Sequence, residues 1–285
     1  MSVVIVHGTH DSEGTWWLET TAGSFAAEVD QGLKMLGVKP AVWRSGDYHV
    51  SAFKELRPKG SWGWWSGRKA PPFMNRVGRF CWSGADLHGA GRLVGSAELA
   101  RYLEVLSYLG PDEMIHVIAH SHGCNVVKQA TQELSQPVRL GRIVFLACPH
   151  FVDVQSGGFP YQINSSVMAD FDRPVLNLYS PQDTVQTTIS ELLPDLGMTP
   201  GVPKIDILNF PGTPIVDAHR SDQDPAAMGL YEELPVTYEG GKGIAAHGAV
   251  HNPDVGRFLG YWFGQVADVS AYKCWSDLGL GDLKA

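Results

Sequence analysis

The sequence predicts an α/β fold with a mostly parallel central sheet flanked by helices. Three observations lead there. Short apolar runs alternate along the chain with stretches of helical periodicity, which is the pattern of βαβ units. Several of those runs are apolar throughout, as strands buried on both faces are. No internal repeat, charge run or low-complexity linker divides the 285 residues, so the chain reads as one domain, 1–285, with insertions. A chain of this length buries a core without disulfide or metal staples. Its 44% hydrophobic and 18% charged residues are those of an ordinary soluble globular protein.

The elements follow in order. Residues 3–6, Val-Val-Ile-Val, predict a fully buried strand. A helix is expected over about 23–36, with Phe25, Val29, Leu33 and Leu36 on one face. Residues 79–82 predict a second strand. Leu93, Ala97, Ala100, Leu103 and Leu106 mark a strong helix that Gly110-Pro111 stops. A strand over 114–119 precedes a helix over about 123–134. Further strands are expected at 143–147, 175–179 and 205–210. A last helix begins near Asn252-Pro253-Asp254, with Asn252 as N-cap and Pro253 at the first helical position. Residues 44–78, 181–203 and 211–246 do not fit this rhythm and are expected to be long loops. Trp62, Trp64 and Trp65 in the first of these argue against disorder and for a small cap or lid.

Charge and composition exclude several functions. Twenty-two basic against thirty acidic residues leave a net charge of −8, which argues against a nucleic-acid groove and against tight binding to anionic lipid. No apolar run approaches the roughly 18 residues of a membrane span, so no integral membrane association is expected. Met1-Ser2 runs straight into the first strand with no basic region, long apolar segment or cleavage site, so the expected location is the cytoplasm, with leaderless export or a phage origin as the other routes. Cys81, Cys124, Cys148 and Cys274 lack zinc spacing and read as small buried hydrophobes.

The chemistry lies in Ala119-His120-Ser121-His122-Gly123, between a buried strand and a helix. A nucleophile elbow requires this context, because the tight turn accepts only small residues two positions either side of the serine. The helix start beneath it offers a positive dipole end and free N–H groups to a developing oxyanion. Ser121 needs a base, and the base needs an orienting acid. In folds with such an elbow the acid and then the histidine follow the serine along the chain. Asp183, after the strand at 175–179, is the first choice of acid, with Asp153 as the alternative and Asp217 as a further competitor. His247, in a Gly- and Ala-flanked loop, is the first choice of base. His251, against Asn252-Pro253, is the alternative, His219 is a distant third, and His116 reads as a core histidine. The expected oxyanion donors are the backbone N–H groups of Thr9 and His122, with Gly8 letting the backbone approach closely. His7 is expected to hold that loop through its ring nitrogens.

These motifs resemble a known group. Val6-His7-Gly8-Thr9, followed by Trp16-Trp17 and Gly23-Ser24-Phe25, is similar to the opening of bacterial α/β-hydrolase lipases and serine esterases. Phe80-Cys81-Trp82-Ser83-Gly84-Ala85, with Arg92 and the helix through Leu99, resembles a further segment of that group, which is distantly similar to the GPI inositol-deacylases. The elbow, the acid-bearing segment 176–183, and His247 with Asn252-Pro253 resemble the group's three catalytic segments. The resemblance implies an α/β-hydrolase fold, a Ser-Asp-His triad and an ester substrate. The chain departs from the pattern at His122, where the group often has Met or Gln, and in the length of 44–78.

The expected activity is therefore ester hydrolysis on a small-molecule or lipid ester, with no cofactor and no metal. His7, Trp16, Trp17 and Trp82 are expected near the substrate, and the oligomeric state is left open. Two other readings compete. His120-Ser121-His122 is an H-x-H, as in metal-dependent hydrolases, although Gly123-Cys124-Asn125 breaks the ligand run. A non-catalytic binding protein on the same scaffold is the other.

Overall fold

The computed structural model describes residues 2–8, 16–17, 22–35, 76–80, 89–109, 114–148, 163–164, 168–169, 175–183, 185, 231–236, 238, 240 and 243–264. In chain order these form β1 (Ser2–Val6), α1 (Phe25–Met35), β2 (Arg76–Phe80), α2 (Gly89–Leu109), β3 (Ile115–His120), α3 (His122–Glu133), β4 (Val138–Leu146), β5 (Met168–Ala169), β6 (Val175–Tyr179), β7 (Tyr231–Pro235), α4 (Ile244–Ala249) and α5 (Pro253–Gly264).

The strands lie in the order β2-β1-β3-β4-β6-β7, with short β5 beside the start of β4. Every pairing between them is parallel. The strand order reverses beside β1, which pairs β2 on one side and β3 on the other through Val6↔Phe80 and Val6↔Ala119. In an open parallel sheet such a switch point leaves a crevice outside the carboxyl ends of the strands, where ligands bind.

Alternate residues of each apolar run enter different cores. Val4, Val6, Val117, Ala119 and Phe145 pack with Leu99, Leu103, Val126 and Val127 of α2 and α3. Val3, Ile5, Ile118, Val144, Leu176 and Leu178 pack on the other face with Phe25, Val29 and Leu33 of α1 and Val255, Phe258 and Leu259 of α5. Burial on both faces is why residues 3–6 and 143–146 read as continuous apolar runs.

Helix α5 lies against α1 at very short range. A Cβ at Gly256 would sit 2.4 Å from the carbonyl oxygen of Phe25, and one at Gly260 only 1.9 Å from that of Val29. Arg257 Nε donates to Glu28 Oε2 across the same seam (2.7 Å). The start of α5 is capped as expected, with the Val255 N–H donating to Asn252 Oδ1 at 3.0 Å. Ser24 caps α1 in the same way through the Ala27 N–H (3.1 Å).

Near its start, the interior strand β4 carries a bulge. The register runs Ile115↔Leu140 and then Val117↔Ile143, so Gly141 and Arg142 oppose His116 alone. The Arg142 N–H released from the ladder donates to His116 Nδ1 at 2.8 Å. Burial, with the Arg142 charge second, lowers the His116 pKa to about 3. Its ring stacks on Phe263 of α5 (4.8 Å), and Arg142 lies over Trp262 (4.4 Å) and donates to the Trp262 carbonyl. His116 is thus a core histidine.

Several expected boundaries move. The second strand is β2 at Arg76–Phe80, reaching back into the segment expected to be a loop, and β4 begins five residues before the predicted 143. Strand β7 and helix α4 lie within or overlap 211–246, where only irregular chain is expected from the sequence. The predicted strand at 205–210, the remainder of the cap segment 44–75, and Cys81 and Cys274 lie outside the described residues. Among the described residues no helix is long and apolar enough to cross a membrane. Cys124 and Cys148 are buried and are not in a disulfide.

Candidate active site

Strand β3 ends at His120 and α3 begins at His122, so one residue makes the turn. Ser121 carries it with φ 51° and ψ −132°. A β-carbon makes this positive-φ region costly, and such strain persists only where surrounding structure enforces it. The enforcement here is visible. The Ser121 N–H continues the sheet to the Leu146 carbonyl (2.8 Å), and the Ser121 carbonyl accepts from the Cys124 N–H (3.0 Å). Ser121 occupies the N-cap position of α3, yet its hydroxyl caps no helix amide.

Small residues are required by what surrounds the turn. A Cβ on Gly123 would lie 2.4 Å from the His7 carbonyl oxygen and 2.9 Å from that of Val6, so the exit of β1 rests on the start of α3. A Cβ on Gly8 would meet the Ser121 Cβ at 2.9 Å and His120 Nδ1 at 3.1 Å. The β1 exit and the serine turn therefore touch at the switch point. His7 is fully buried, its Nδ1–H donates to the Gly8 carbonyl (2.7 Å), and its ring faces Trp17 at 4.8 Å.

Asp183 and His247 follow the ends of β6 and β7. After β6 the chain turns through Ser180-Pro181-Gln182-Asp183, closed by the Asp183 N–H on the Ser180 carbonyl (2.9 Å). After β7 the chain enters the short helix α4, which carries His247; the loop expected around this histidine is in fact a helical turn and a half. His247 Nδ1–H donates to Asp183 Oδ2 at 2.8 Å, with the Asp183 side chain fully buried and that of His247 13% exposed. The other carboxylate oxygen, Oδ1, accepts from the Val185 N–H (2.9 Å). A neutral histidine that donates from Nδ1 carries its lone pair on Nε2. The two loops are also tied through Gln182, whose carbonyl accepts from the Gly243 N–H (3.1 Å) and whose Oε1 accepts from the Ser180 hydroxyl (2.8 Å).

Ser121, Asp183 and His247 follow β3, β6 and β7 of a parallel sheet, all at its carboxyl edge. A parallel sheet covered by helices on both faces is the architecture of the α/β-hydrolase fold. No family model and no curated protein matches the sequence. Among solved structures, the product of the gene lin2722 from Listeria innocua is similar over 95% of this chain and 96% of its own, at 13% identity and a TM-score of 0.45. A protein from Lactobacillus plantarum WCFS1, named as a candidate cell surface hydrolase, is similar over 97% of this chain and 96% of its own, at 11% identity and a TM-score of 0.41.

The remaining predicted residues separate into three groups. His251, the alternative base, does not reach Asp183 through any bond described here; it stacks on Trp16 at 4.2 Å and meets His120 edge-on at 4.7 Å. Burial, with the nearby His247 as a lesser cause, lowers its pKa to about 3. Trp16 is half-buried beside it, whereas Trp17 is fully buried and offers no surface to a substrate. His122 opens α3, and its Nδ1 accepts from Asn125 Nδ2 at 3.4 Å. Thr9, Trp82, Asp153, Asp217 and His219 lie outside the described residues.

His120 and His122 do not converge as a ligand pair. The first donates from Nε2 to the His247 carbonyl (3.2 Å) while the second takes up Asn125. Among the described residues no group of three or more His, Cys, Asp or Glu side chains is arranged to hold a metal ion. Gln182 carries no signal in the sequence. His120 is visible there only as half of an H-x-H, a pattern that suggests metal rather than the bond it makes.

Proposed function

We propose that the protein is a serine hydrolase that cleaves carboxylic esters through an acyl-enzyme. The observation that carries this reading is the His247–Asp183 bond of 2.8 Å beside a strained serine turn whose hydroxyl is not spent on capping. In the proposed reaction Ser121 Oγ attacks the substrate carbonyl as His247 Nε2 takes its proton. Asp183 holds the imidazole in the tautomer with Nδ1–H and stabilises the imidazolium. The tetrahedral oxyanion is held by the N–H groups of His122, at the start of a twelve-residue helix, and of Thr9. His247 then returns the proton to the departing alcohol, and water repeats the sequence on the acyl-enzyme. The ester class follows from the likeness of the motifs to lipases and serine esterases, and the substrate is a small-molecule or lipid ester.

The test is hydrolysis of p-nitrophenyl esters of increasing acyl length by the wild type and by Ser121→Ala, each with and without EDTA, together with fluorophosphonate labelling. Activity and labelling that vanish only in Ser121→Ala support the reading, and the preferred chain length sizes the pocket. Loss on EDTA treatment, or a folded wild type that neither hydrolyses nor labels, overturns it in favour of metal-dependent chemistry or a binding scaffold.

A further inference from the structure

His120 is the last residue of β3 and the immediate neighbour of Ser121, and its ring lies among aromatic partners from two separate segments. Trp16 meets it edge-on at 5.5 Å, His251 edge-on at 4.7 Å, and His247 at 4.9 Å with a 50° tilt. Its Nδ1 faces the exit of β1, 3.1 Å from where a Gly8 Cβ would stand. Its Nε2 lies 3.2 Å from the carbonyl oxygen of His247. A carbonyl only accepts, so Nε2 is the protonated nitrogen of this ring and the donor in the bond.

The acceptor is informative. Helix α4 has six residues, too few to be stable on propensity alone, so its place depends on its ties. One end is held by the Gly243 N–H on the Gln182 carbonyl. At the other end the carbonyls of the last turn have no helical partner and need donors from elsewhere. The N–H that would close a further turn on the His247 carbonyl is that of His251, and it donates to Gly248 instead (3.3 Å). The His120 imidazole donates to that carbonyl. One ring thus links the residue before the nucleophile to the backbone of the residue bearing the base.

We propose that His120 is a positioning residue: its Nε2–H holds the His247 carbonyl and sets the station of the His247 imidazole relative to Ser121. This rests on the serine-hydrolase reading above. His120→Phe keeps a ring against the Trp16–His251 stack and removes the donor. His120→Gln places an amide N–H at similar reach. With the p-nitrophenyl ester that the wild type turns over best, kcat is expected to fall about 100-fold in His120→Phe with KM little changed, because small misplacement of a reacting group has that cost. His120→Gln recovers most of the loss. In parallel, the proton on His247 Nδ1 is followed by NMR in protein labelled with 15N-histidine. It is expected to broaden by exchange in His120→Phe and to be restored in His120→Gln. Wild-type turnover in His120→Phe, an equal loss in both variants, or an unaltered His247 proton in His120→Phe overturns the proposal. If the wild type hydrolyses no ester, the hydrolase reading fails on its own account, and the NMR arm still decides whether His120 positions His247.

Discussion

Acid sensitivity of the fold gives the sharpest test of the bulge in β4. His116 is buried and neutral, with its pKa lowered from 6.5 to about 3 by burial first and by Arg142 second. In the unfolded chain the same histidine takes a proton as pH falls through 6.5, while the folded form refuses it until about 3. The unfolded state therefore binds more protons across that window, and stability present above 6.5 is lost progressively as pH falls toward 3. Between pH 7 and pH 5 the loss from His116 alone is about 2 kcal/mol, with a slope approaching 1.4 kcal/mol per pH unit below 6. His116→Gln keeps an acceptor for the Arg142 N–H and cannot titrate. The variant is expected to be less stable at pH 7, through lost stacking on Phe263, but to lose about 2 kcal/mol less on going to pH 5. Urea unfolding followed by tryptophan fluorescence at pH 7, 6 and 5 measures both slopes. Equal slopes in wild type and variant would refute the argument, since His116 would then not be held neutral. His251, with its pKa lowered to about 3, adds a loss of the same sign that both proteins share.

Three further outcomes follow from the geometry. Asp183→Asn removes the acceptor that fixes the His247 tautomer, and kcat on the best ester should fall about 10⁴-fold while the urea midpoint moves far less. Ser121→Gly abolishes activity yet is expected to raise stability by about 1 kcal/mol, since glycine adopts φ 51° without the β-carbon's strain; a lower urea midpoint than in the wild type would contradict this. Gly260→Ala drives a methyl into the Val29 carbonyl and should lower stability by about 1–3 kcal/mol by prising α5 from α1, with the melting temperature as readout.

The legible parts of the fold are those where physics leaves one solution. Strand β1 is legible because Val3–Val6, buried on both faces, make an unbroken apolar run. The serine turn is legible because a Cβ at Gly123 would stand 2.4 Å from the His7 carbonyl oxygen, where only glycine fits. Strand β7 was not legible: Tyr231-Glu232-Glu233-Leu234-Pro235 has two acids and a proline, which an outer strand tolerates and a central one does not. Strand β4 is legible only from Ile143, because Arg139, Gly141 and Arg142 interrupt its apolar run, two of them at the bulge. Helix α4 is too short and glycine-rich to show a period. In the site, Asp183 and His247 are 64 residues apart, and their ranking came from chain order rather than from any local pattern. Nothing local distinguishes Gln182 or the bond from His120, because both depend on where two distant loops meet.

The glycine seam between α1 and α5 bears on when the site can exist during synthesis. Gly256 rests on the Phe25 carbonyl across some 230 residues of chain, and α5 follows directly from the turn that carries His247. A ribosome delivers residues in order, at about 5–20 per second. The β1 exit and the serine turn can pack together while the chain is still growing. His247 arrives only just ahead of α5, whose docking partner α1 was made some 230 residues earlier. A nascent chain halted before that point would hold the serine turn and lack His247, so the proposed site is completed late, in a single step.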